Sequence, residues 1–62
     1  MSARLSLTVS AIDYAFRLAQ LRAAFNAHRL HLAELAVATD AIWVEIEAAG
    51  LGAAVMAEMR AR

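Results

Sequence analysis

The chain has 62 residues, 63% of them hydrophobic, with no cysteine, no proline and a formal net charge of zero. That length allows one small domain, in which folding removes only about 60% of the unfolded surface. Disulfides and thiolate zinc sites are excluded, so the extra support a small scaffold needs falls to self-association or to docking on a larger partner.

Seventeen residues are alanine. Alanine is the strongest intrinsic helix former, and without proline nothing forces an interruption, so long helices are expected. The expected fold class is all-α: a small helical hairpin, or one long helix, followed by a short C-terminal helix. Charge is unevenly spread. Residues 1–31 carry +3, and residues 32–62 carry −3. Halves of opposite sign suit antiparallel self-association and argue against broad nucleic-acid binding, which needs a clear basic surface.

The first segment, residues 1–9, reads as an extended arm. Within "RLSLTVS" (4–10), Leu5, Leu7 and Val9 alternate with Ser6, Thr8 and Ser10. That is the period of a half-buried strand.

A first helix is expected over about 10–38. Ser10 fits an N-cap, with Asp13 in the first turn, and Val9 and Tyr14 occupy the hydrophobic-staple positions. Asp13 and Arg17 form an i,i+4 pair in the favourable order. A heptad seam follows through Tyr14, Leu18, Leu21, Phe25, His28, Leu32 and Leu35. Beside it Ala11, Ala15, Ala19, Ala23 and Ala27 form a ridge of small side chains that lets another helix come close. A helix apolar on more than one face is expected to meet more than one neighbour.

The next boundary has two readings. "VATDAIW" (37–43) offers a break near 38–40, with Thr39 or Asp40 as N-cap and a second helix over about 40–49. Alternatively the register runs on through Thr39, Ile42, Ile46 and Ala49 as one helix from about 10 to 49. The break is preferred, because a rod of that length would depend wholly on partners. Gly50 fits the left-handed position that ends many helices, with Leu51 closing onto Ile46. A short helix over about 53–61 follows, carrying Val55, Met56 and Met59 on one face, with Arg60 and Arg62 at its end where the dipole favours cations.

Few residues point to chemistry. His28 and His31 lie three apart, with Glu34 three further on, but each such step rotates about 60° around a helix and a metal needs three or four ligands. His28 is read as a polar interruption of the seam, of the kind that sets register or partner number. Gly50-Leu51-Gly52 lacks the third glycine of a dinucleotide loop and follows a helix. No serine or threonine sits in a nucleophile-elbow context. No catalytic, cofactor or metal residue is assigned, and the chain is not read as an enzyme.

The expected role is a helical protein–protein interaction module, acting as a regulator or inhibitor or as a structural accessory subunit. Its partner is a second copy or a larger protein. The candidate interface is Tyr14, Leu18, Leu21, Phe25, His28, Leu32 and Leu35, the small Ala15, Ala19 and Ala23, the lone Trp43, and the pliable Met56 and Met59. Two alternatives stand beside it. A strand followed by two helices resembles the layout of ribbon-helix-helix DNA-binding dimers, which would place Arg4, Ser6 and Thr8 against bases. The alanine rows resemble the small-residue packing of membrane helices, although charges at Arg17, Arg22, Arg29 and Glu34 oppose insertion. No apolar run reaches the roughly 20 residues needed to span a bilayer, and no signal-peptide core is evident, so a cytoplasmic location is expected.

Overall fold

Helix is the state in which an alanine-rich chain satisfies its own backbone, and it dominates the structure. A computed structural model of the chain describes the backbone of residues 2–61 and the side chains of residues 9–61. Among these, three helices follow in order: α1 (Ser2–Asn26), α2 (Leu32–Ala48) and α3 (Gly52–Arg60). The described fold is all-α.

The N-terminal arm expected over residues 1–9 is corrected. The backbone from Ser2 onward belongs to α1, so Ser10 lies inside a helix and caps nothing. An alternating pattern of six or seven residues makes a strand only when another strand pairs with it, and none is present among the described residues. Without a partner, the helix satisfies N–H and C=O groups that an isolated strand leaves open. The ribbon-helix-helix layout loses its ribbon with this correction. Met1 and Arg62 lie outside the described residues.

The second correction concerns the boundary between α1 and α2. It falls at residues 27–31, neither near 38–40 nor absent. α2 runs without interruption through Val37, Thr39 and Asp40. α1 ends in a double hydrogen-bonded closure: the His28 N–H donates to the Phe25 carbonyl (3.0 Å), and the Arg29 N–H to the Ala24 carbonyl (2.9 Å). This is the Schellman arrangement, and its left-handed residue is His28, at φ 62°. Left-handed backbone costs an L-residue about 1–2 kcal/mol, although histidine visits it more often than most. His28 therefore ends a helix. It does not sit in a seam, and its side chain is exposed.

The turn then starts α2 with a local bond. The His31 N–H donates to Glu34 Oε1 at 2.9 Å, the return half of a capping box. Glu34 also places negative charge in the first turn of α2, against the positive end of the helix dipole. The pattern "HRLHLAE" is thus the hairpin turn and the first turn of α2.

The end of α2 follows the sequence expectation. Gly50 has φ +71°, its N–H donates to the Glu47 carbonyl (3.0 Å), and the Leu51 N–H donates to the Ile46 carbonyl (3.0 Å). Leu51 and Ile46 are both buried in one cluster, which is the apolar closure of that motif. The chain then turns into α3, with Arg60 in its last turn.

The core is small and sits at one end of the hairpin. Its buried members are Ala11, Ala15 and Leu18 of α1, Ile46 of α2, Leu51 of the connection and Val55 of α3, with Tyr14, Ile42 and Trp43 packed against them. Ala11 and Ala15 have almost no exposed surface, so the first two steps of the alanine ridge carry the close approach of the other helices. α1 packs against both α2 and α3, the two neighbours its broad apolar surface requires. Val9, Ile12 and Phe16 stay exposed on its far side.

Candidate protein interaction site

Because α3 has only nine residues, it covers one end of the α1–α2 pair and leaves the other uncovered. The uncovered end forms a cleft of about 730 Å³ between the two long helices. Ala15, Leu18, Ala19, Arg22, Phe25 and Asn26 form the α1 wall. Leu32, Leu35, Ala36, Thr39, Asp40 and Trp43 form the α2 wall, and Met59 of α3 closes the end nearer the core.

Both walls follow from helical spacing. On α1, positions 15, 18, 22 and 25 return to one face at steps of three and four. On α2 the same steps run through 32, 35, 39 and 43. A hairpin turn at 27–31 folds these stripes toward each other, so each helix buries part of its stripe on its neighbour and leaves part open. Leu18 is buried at the floor. Phe25, Leu35 and Trp43 are half-buried along the walls, while Ala19, Ala36 and Leu32, the last 67% exposed, form the rim.

Most residues expected at an interface meet here: Ala15, Leu18, Ala19, Phe25, Leu32, Leu35, Trp43 and Met59. Five do not. Tyr14 packs against the core, with the Arg17 guanidinium 5.5 Å from its ring centroid. Leu21 is half-buried and Ala23 exposed, both outside the cleft lining. Met56 is exposed on α3, and His28 lies in the turn. The lining residues outside the expected interface are Arg22, Asn26, Ala36, Thr39 and Asp40. Placing the turn at 27–31 brings all five onto or beside the two stripes, so the turn was the missing signal.

Charge enters the cleft once on each wall, as Arg22 and Asp40. Neither is in an ion pair; among the described residues the pair present is Arg17 with Asp13, at 2.9 Å on the outer surface of α1. No buried side-chain nitrogen or oxygen among the described residues lacks a hydrogen-bond partner. His28, His31 and Glu34 do not converge, and no group of three or more His, Cys, Asp or Glu that would hold a metal forms among the described residues. Glu34 is instead engaged with the His31 amide. The cleft can thus cover apolar surface, with Arg22, Asn26, Thr39 and Asp40 as its polar side chains. No described helix is long and apolar enough to cross a membrane.

A second apolar surface lies on the outside of α2, where Ala33, Val37, Ala38 and Ala41 form a shallow strip beside Glu34. Val37 and Val44 are among the most exposed large apolar side chains of the chain.

No protein-family model matches the chain, and neither a curated protein nor a solved structure matches it.

Proposed function

We propose that the chain is a helical protein–protein interaction module whose working surface is the α1–α2 cleft. The observation that carries this reading is the cleft itself: Leu32 stands open to solvent and Phe25, Leu35 and Trp43 are only half-buried, beside a core of six buried residues. A patch of large apolar side chains rimmed by polar residues is the kind of surface that marks interaction sites and ligand grooves. Tryptophan, tyrosine and arginine dominate binding hot spots, and Trp43 and Arg22 both lie in the cleft.

A module of this kind works by occupancy. It covers an apolar helical face, which inhibits or regulates a partner that needs that face, or builds the chain into an assembly as an accessory subunit.

The test is site-specific photo-crosslinking in cells that express the chain. A photoreactive residue at Ala36, on the cleft rim, is expected to give covalent adducts with a protein. The same probe at Ala57, exposed on α3 and outside the cleft, is expected to give few. Absence of any adduct at Ala36 would overturn the reading, and the adduct mass separates a second copy from another protein.

A further inference from the structure

Resting on the interaction reading, we propose that the occupant of the cleft is a second copy of the chain, joined cleft to cleft about a two-fold axis running along the hairpin. The product is a bundle of four long helices in which α1 of each copy lies antiparallel against α2 of the other.

The cleft offers a partner helix a long contact: residues 15–26 of its α1 wall span about 16 Å at 1.5 Å per residue, or three helical turns.

Charge selects the orientation. Among side chains described on α1, Arg17 and Arg22 face one acid, Asp13. α2 carries Glu34, Asp40, Glu45 and Glu47 and no basic residue. Two two-fold arrangements can close the clefts on each other. An axis across the hairpin sets α1 against α1 and acidic α2 against acidic α2, which is repulsive. An axis along the hairpin sets basic against acidic twice, because contacts across a two-fold are reciprocal. Arg22 then meets Asp40 of the partner subunit, and Asp40 meets the partner's Arg22. The two charges in the cleft, unpaired within the chain among the described residues, are neutralised together. Ala19 and Ala36 at the rim allow the close approach that this packing needs.

The outer strip of α2 is the weaker self-association surface. It is shallower and is flanked by Glu34, with Glu45 near Val44 and no cation on the helix. Two copies meeting there would oppose like charges.

Sedimentation equilibrium of the purified full chain at micromolar concentration tests the inference. The expected mass is twice that of the chain. Ala36→Glu, in the cleft, is expected to give a monomer that keeps its helical circular dichroism. Val37→Glu, one residue on but 72% exposed and outside the cleft, is expected to remain dimeric. Arg22→Asp and Asp40→Arg are each expected to weaken the dimer about tenfold or more at low salt, and the double exchange to recover most of the loss. A monomeric parent chain, a dimer broken by Val37→Glu and spared by Ala36→Glu, or a double exchange no better than the single ones would each overturn it. If the parent chain is monomeric while the Ala36 probe still crosslinks to a different protein, the second copy is overturned and the interaction reading stands.

Discussion

The two ends of the α1–α2 hairpin are built from the same kinds of residue, yet only one is closed. At the α3 end, Ala11, Ala15, Ile46, Leu51 and Val55 enclose one another and Ile46 and Val55 have no exposed surface. At the turn end, Phe25 and Leu35 are half-buried and Leu32 is mostly in water. The difference is a nine-residue helix. α3 supplies the third element that completes a layer over Ala11 and Ala15, and it is too short to reach Phe25. A pair of helices alone cannot bury both stripes, so closure at one end shows what the other end lacks.

The two helix terminations differ in a parallel way. α1 and α2 both end with the same pair of backbone hydrogen bonds. α2 uses glycine at the left-handed position, where the conformation is free of steric cost, and α1 uses histidine, where it is not. The open end thus also carries the strained turn.

The sharpest break in this comparison would come from core truncation. Ile46→Ala is expected to cost about 2–5 kcal/mol, measured by urea unfolding, because it leaves a cavity in a fully enclosed site. Leu35→Ala, measured at a concentration dilute enough to keep the chain monomeric, is expected to cost less than half as much. Equal losses would mean that the two ends are equally closed. Next in size, Gly50→Ala should destabilise by about 1 kcal/mol, a purely conformational effect since nothing lies within 4 Å of the added Cβ. The mirror change, His28→Gly, should stabilise by about 0.5–1 kcal/mol, the relief of strain being partly offset by the greater freedom of unfolded glycine. A loss on His28→Gly would show that the imidazole contributes a contact outweighing the strain. The smallest effect expected is Glu34→Ala, a loss of about 0.5 kcal/mol visible as a lowered melting temperature, from the His31 amide bond and the dipole contribution.

Some elements were legible from sequence for clear physical reasons. The end of α2 was, because glycine after a helical run followed by leucine is a specific steric and apolar signal. So was the short C-terminal helix, although of its expected apolar face, Val55, Met56 and Met59, the structure buries Val55 and leaves both methionines exposed. The hairpin turn was not. Leucines and a phenylalanine on both sides of it keep a spacing of three and four by coincidence of turn length, so Phe25, His28, Leu32 and Leu35 imitate one seam across two helices. The left-handed residue is a histidine, which carries no such signal by composition. Conversely, Thr39 and Asp40 resemble a cap yet lie inside α2, since the propensity penalty of each is below about 1 kcal/mol and neighbouring contacts exceed it. The N-terminal alternation misled because strand periodicity says nothing about whether a partner strand exists.

By itself, then, the sequence determined that this protein is helical, that its helices carry more apolar surface than they can bury alone, and that its halves bear opposite charge. These are properties of composition and short-range spacing. Only the tertiary structure decided where the hairpin turns, which apolar residues are closed by α3, and that Arg22 and Asp40 face one cleft from opposite walls. Those depend on contacts between residues far apart in the chain, whose free energy appears only once the helices have been brought together.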